Sequence, residues 1–176
     1  MIKIIARALL IIILLAISIS IPQFHSAAPN LLFVLLVIYA FREKGYTYLG
    51  VAFFSGLLLD AYARTAFGSY ILAFLIVGLA IRLATETLFR SESDSLLYMA
   101  VAITASYLLL IAIVYSYDAF AVRWDHLVQP VSAVYITHTV WLIMIFNLIA
   151  AAPIYWLVQA VENVIVKYNR SNDQIL

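Results

Sequence analysis

The sequence predicts an all-α fold, a polytopic transmembrane bundle of about six helices, and three observations carry that prediction. First, 66% of the 176 residues are hydrophobic and only 11% are charged, with a mean hydropathy of +1.07. A soluble domain averages about 45–50% apolar and about 25% charged, so one water-soluble core of this size could not hide the excess. Second, apolar runs recur along the chain with short polar breaks between them. At about 20 residues per span plus a turn, little is left for a domain outside the bilayer. Third, the net charge of +1 is spread over both signs without a basic run, so there is no surface to neutralise a phosphate backbone and no nucleic acid partner is expected. Cysteine is absent, which excludes disulfides, thiolate metal sites and a cysteine nucleophile.

The spans fall near residues 4–21, 29–41, 46–62, 69–89, 96–117 and 131–152, forming one domain over 1–168. Pro22 and Pro29 bracket the first break, and Arg42, Glu43, Lys44 and Gly45 make a tight charged turn after the second run. That second run is about a dozen residues, too short to cross about 30 Å of hydrocarbon as a straight helix. It is therefore either buried among other helices or extended backwards over Ala27 to Asn30. The last run has the opposite character. Pro153 interrupts it, and because proline removes a backbone donor and crowds the preceding turn, the reading is a spanning helix to Ala152 with a kinked continuation to 166. A solvated tail over 169–176 follows.

Basic residues in short loops are retained in the cytoplasm, and this orients the bundle. With the N-terminus inside and six crossings, Lys3, Arg7, Arg42, Lys44, Arg82, Arg90, Lys167 and Arg170 fall on the inner side, and only Arg64 and Arg123 on the outer. Both termini are then cytoplasmic, and Tyr115, Tyr117 and Trp124 act as outer interfacial aromatics. An alternative is that residues 1–28 are a cleaved signal peptide, since Lys3 and Arg7 precede an apolar stretch and Ser26, Ala27 and Ala28 supply small residues. The long apolar run and the intervening Pro22 to His25 favour a retained span.

Glycine is the least randomly distributed residue. All five glycines lie between Gly45 and Gly78, in the third and fourth spans. Small residues let membrane helices approach closely, and Ala52 and Gly56 make a small-xxx-small pair with Asp60 one turn further on the same face. Arg64 follows at the next i+4 position, within pairing reach if the helix persists that far. A carboxylate in hydrocarbon costs about 2.5–3.5 kcal/mol at a helix centre on insertion scales, so Asp60 must face protein, a watery cavity or the interface. Two readings stay open: a partner-binding or cavity-lining group, or a structural cap that ends the third helix and accepts backbone N–H bonds from the AYARTAFG turn.

Other polar residues carry weaker signals. His138 and Asn147 sit within the last span with Trp141 between them, functional candidates by position that can equally serve as interhelical hydrogen-bond partners. His25, and His126 beside Asp125, lack metal-ligand spacing, so no metal and no cofactor is expected. Arg82, Glu86 and Arg90 form an i, i+4, i+8 ladder, read as a charge network at the membrane edge or as a dock for a cytosolic partner. No H-E-x-x-H, G-x-S-x-G or Gly-rich phosphate loop is present, so the motifs do not suggest an enzyme.

The stretch PNLLFVLLVIYAF from Pro29, a short basic turn, and then GLLLDAYARTAFGSYILAFLIVGLAIRL resemble the MreD family of bacterial rod shape-determining proteins. In that family a Pro-Asn or Pro-Asp opens the second run and a Gly-x3-Asp-x7-Gly pattern follows, here Pro29, Asn30, Gly56, Asp60 and Gly68. Asn147 and Pro153 resemble its C-terminal pattern, while Tyr62 and Arg64 stand where the family usually has Gly or Ser. The resemblance implies a non-enzymatic inner-membrane component of the cell-wall elongation complex. It would contact membrane lipid, dock an MreC-like protein, and link an MreB-like filament to peptidoglycan synthases. Helix packing or partner contacts would fall on Ala52, Gly56, Asp60, Arg64, Gly68, Asn147 and Pro153, and cytoplasmic docking on Arg82, Glu86 and Arg90. Because such proteins are similar in architecture to substrate-binding subunits of energy-coupling-factor transporters, a vitamin-type transporter subunit is the alternative. Asp60, Arg64, Trp124 and His126 would then line its cavity.

Overall fold

A computed structural model of the chain describes residues 2–20, 29–42, 45–62, 66–88, 96–121 and 133–173. These form six helices and, among the described residues, no strand: α1 (Ile2–Ser20), α2 (Leu31–Arg42), α3 (Thr47–Tyr62), α4 (Ser69–Leu88), α5 (Leu96–Ala121) and α6 (Ala133–Asp173). Among the described residues three stretches are long and apolar enough to cross a membrane, Ser69–Thr87, Tyr98–Ala121 and Thr139–Lys167. Ile5–Ser18, Leu31–Arg42 and Thr47–Tyr62 are shorter apolar helices. The all-α bundle read from composition and run spacing is the observed fold.

The short second run settles on burial. Every residue of α2 from Leu31 to Ala40 is buried, as expected of a helix that is apolar on all sides, and all five other helices pack against it. At 12 residues and about 1.5 Å per residue it is only about 18 Å long, and its last residue, Arg42, is exposed. Phe33 anchors it, with its ring edge-to-face against Phe74 of α4 at 6.3 Å and Tyr107 of α5 at 5.4 Å, the arrangement that aromatic quadrupoles favour.

Contacts at the glycines give the helix directions. Gly56 meets Ile71, and Gly78 meets both Tyr48 and Leu36, so α3 runs antiparallel to α4. Since Phe33 also pairs with Phe74, α2 runs parallel to α4, and the N-termini of α2 and α4 lie side by side at one end of the bundle. α6 is unbroken through Pro153 and continues to Asp173, past the start of the expected tail. Its length is about 60 Å at the standard rise, longer than a hydrocarbon core of about 30 Å.

Candidate functional site

Asp60 lies in the last turn of α3 at 5% exposure, and the first turn of α4 takes up its carboxylate. One oxygen, Oδ1, accepts the Tyr70 N–H at 2.9 Å and the Ser69 hydroxyl at 3.4 Å, while Oδ2 accepts the Ile71 N–H at 3.0 Å. The reason lies in Gly68. Its carbonyl accepts the Leu72 N–H at 2.9 Å, which makes it the N-cap of α4, and its φ of 97° is a conformation that side chains other than glycine's resist. A helix N-cap normally supplies an oxygen to the N–H groups two and three residues on. Gly68 has none to supply, so Asp60 does it from the preceding helix. The carboxylate also faces the positive end of the α4 dipole, which compensates for its removal from water.

Gly56 makes this reach available. A Cβ built there would stand 2.6 Å from Ile71 Cα and 2.9 Å from the Tyr70 carbonyl oxygen, closer than any real Cβ contact. Ala52, one turn earlier, is fully buried as well. The small-xxx-small face therefore brings α3 onto the backbone of α4, and Asp60 joins the two. An open apolar groove of about 400 Å³ runs beside this hairpin between α4 and α5, lined by Leu72, Ile113, Tyr117 and Phe120 among others.

The neighbouring N-terminus of α2 is capped differently. Asn30 accepts the Phe33 N–H on its own Oδ1 at 3.0 Å, an ordinary local cap. Its backbone N–H donates to Asn147 Oδ1 at 2.8 Å, and Asn147 is fully buried on α6. Two residues 117 apart in sequence thus pin α6 to the start of α2.

The opposite end holds the charges. Arg7 of α1 donates from Nε and Nη2 to Glu162 of α6 at 3.1 and 2.9 Å, and its guanidinium lies 5.1 Å from the ring centre of Tyr39 on α2. Arg42 of α2 covers Tyr155 of α6 at 4.9 Å. Two cation–π contacts and one ion pair therefore clamp α1, α2 and α6 together. The distribution of basic residues puts these arginines on the inner side without naming partners for them. The 155-residue separation of Arg7 and Glu162 leaves no local trace, although an acid and a base within apolar runs are themselves a signal to look for partners.

Of the remaining expected residues, Arg82 and Glu86 form an i, i+4 ion pair at 2.7 Å with Glu86 half exposed. Pro153 lies on the outer face of α6. Arg64, Arg90, Trp124, His25 and His126 lie outside the described residues, as does the His138 side chain. Both Asp60 oxygens are engaged by α4. Among the described residues no group of His, Asp or Glu could hold a metal ion.

A family model described as rod shape-determining protein MreD matches residues 1–161. No curated protein and no solved structure matches the chain, and the expected likeness in architecture to transporter binding subunits finds no support there. The matched range takes in the Gly56 and Asp60 face, the α2 cap and the Asn147 anchor together, and the chain belongs to the MreD family of rod shape-determining membrane proteins.

Proposed function

We propose that this chain is a non-enzymatic docking subunit of the bacterial cell-wall elongation complex, holding an MreC-like protein and linking an MreB-like filament to peptidoglycan synthases. The observation that carries this reading is where its polar groups go. Asp60, Asn30, Asn147, Arg7 and Glu162 all bond one helix of this chain to another or to its own start. The outward faces are apolar, as on α6, where Trp141, Ile149, Trp156 and Val164 are 64–70% exposed. Such a molecule presents rigid apolar helix faces to lipid and to other membrane helices. The basic end, with Arg82 and Glu86 and with Arg90 in the same ladder, is the side that would meet cytoplasmic partners. On this reading six helices cross the inner membrane with both termini in the cytoplasm.

Depletion of the protein in its native host tests the proposal. Cells should round up, and the affinity-tagged full chain should recover the MreC-like protein from detergent extracts. Normal rods after depletion would remove the role. Rounding without recovery of that partner would keep the shape function and overturn the docking assignment.

A further inference from the structure

Three arginines share the end of the bundle where α2 stops. Phe33 against Phe74 and Leu36 against Gly78 set the register of α4 on α2, and that register brings Arg82 level with the last turn of α2. Arg7 lies over Tyr39 in the same turn, and Arg42 is its final residue. Two of the three have a carboxylate: Arg7 pairs with Glu162 at 2.9 Å and Arg82 with Glu86 at 2.7 Å. Arg42 has none among the described residues. The turn that follows it adds Glu43 and Lys44, whose charges cancel. The charge of Arg42 is therefore left over, and it outweighs the roughly half charge of opposite sign at the C-terminus of α2.

What Arg42 has in place of an acid is a ring. Its guanidinium carbon lies 4.9 Å from the ring centre of Tyr155 on α6, so one face of the planar group rests on an aromatic floor and the N–H donors around its rim stay available. Arg42 is exposed and Tyr155 half-buried, which puts the cation on the outside of the pair. Gln159, one turn on from Tyr155 on the same side of α6, is exposed as well, and its amide has no partner among the described residues. Glu162 stands a further turn along α6 and is held by Arg7. Beside the ring, Trp156 and Leu157 are 70% and 40% exposed. Cation, amide and apolar surface thus lie together where α2 meets α6.

We propose that Arg42, seated on Tyr155, and Gln159 form a site between α2 and α6 for the phosphate of an acidic phospholipid headgroup. A guanidinium whose face is occupied takes phosphate at its edge through parallel N–H bonds, and the ring holds that edge in place with no acid to compete for it. Basic groups between membrane helices are a recurrent form of headgroup recognition. The apolar neighbours decide between a lipid and a soluble phosphate. Trp156 and Leu157 offer an acyl chain a surface to lie against, and an exposed tryptophan beside a cation marks the level at which a helix meets the headgroup layer. Free phosphate gains nothing from either side chain. The site requires only that this end of the bundle meets such a layer, and it stands apart from the docking role.

Lipid retention by the purified full chain tests this. In native mass spectrometry from detergent holding equal amounts of phosphatidylglycerol and phosphatidylcholine, the wild-type chain should keep the acidic lipid at least about tenfold better, the ratio expected of hydrogen bonds to a charged group. Arg42→Gln should bring that ratio close to one. Lys167→Gln, which removes an exposed base further along α6, should leave it unchanged. Equal losses from the two variants would reveal a diffuse attraction to positive charge and overturn the site, as would a ratio that survives Arg42→Gln. Gln159→Leu decides the matter if Arg42→Gln does not yield monodisperse protein: one lost hydrogen bond predicts a drop of about threefold, and an unchanged ratio would overturn the proposal. Inorganic phosphate at the concentration of the lipid should not displace it, and displacement would assign the site to a soluble anion instead. A wild-type chain without preference for phosphatidylglycerol would equally overturn the lipid, leaving the rim of Arg42 to an acidic segment of another protein.

Discussion

Two helices of this bundle begin side by side, and their first turns are satisfied in different ways. α2 carries its own cap, Asn30, whose amide oxygen accepts one N–H of the same helix. α4 begins at a glycine that has no side chain to offer, and a carboxylate from α3 accepts two of its N–H groups, one on each oxygen. A local cap makes a helix end stable wherever that end is placed. A cap from another helix makes the end stable only while the two helices stay in register, so the same hydrogen bonds that satisfy α4 also hold the α3–α4 hairpin closed. In a bilayer, where association has little hydrophobic drive and an unsatisfied backbone group costs several kcal/mol, that second arrangement is a fastening as well as a cap.

The most severe way to break the comparison is to take away the distance over which Asp60 acts. Gly56→Val places branched carbon where a single Cβ is already 2.6 Å from the Ile71 backbone. Because backbone cannot repack as a side chain does, the helices must separate and the Asp60 bonds open with them. Monodisperse protein after detergent extraction should fall to a small fraction of wild type, and recovery at wild-type yield and Tm would show that the close approach is dispensable. Next in size is Asp60→Ala. It removes the acceptor that the carboxylate gives the Tyr70 and Ile71 N–H groups, each loss costing about 1–3 kcal/mol, so a loss of roughly 2–6 kcal/mol is expected, read as a Tm lower by about 4–24 °C. Asn30→Ala removes one bond and keeps the backbone tie to Asn147. The expected loss is about 1 kcal/mol, the usual value of an N-cap, and a loss equal to that of Asp60→Ala would erase the distinction between the two ends.

How much of this was legible before the structure depends on how local each interaction is. The bundle itself was legible, because apolar run lengths report a property that every residue in a run shares. Burial of α2 was one of two readings, and what decides it is that the run has no polar face. Gly56 and Asp60 were visible as an i, i+4 pair on one face. That Asp60 reaches the first turn of α4 was only partly visible: the structural reading gave it backbone N–H groups, but in the turn before Gly68, whereas the recipients are Tyr70 and Ile71 just beyond it. A missing N-cap side chain is a weak sequence signal, since glycine is itself an acceptable cap. The Asn30–Asn147 tie and the clamp of Arg7 with Glu162 depend on which helices become neighbours. Nothing in a single chain states that, because lipid-facing and helix-facing sides are equally apolar.

The smallest expected effect gives the sharpest contrast, because it exchanges the two caps. Asn30→Asp keeps the one acceptor oxygen that Phe33 needs, and asparagine and aspartate are nearly equal as N-caps; the change should move stability by less than about 0.5 kcal/mol after the helix dipole offsets part of the carboxylate's desolvation. Asp60→Asn is the converse and is not neutral. Both Asp60 oxygens accept backbone N–H groups, so an amide must turn its NH₂ toward one of them, losing one bond and placing donor against donor. The expected loss is at least about 1 kcal/mol. Equal effects from the two exchanges, measured as Tm of the purified full chain, would mean that α4 needs only one acceptor and that the second Asp60 oxygen contributes nothing to the hairpin. A near-silent Asn30→Asp beside a destabilising Asp60→Asn would assign the difference to the number of N–H groups each cap serves, not to the charge it carries.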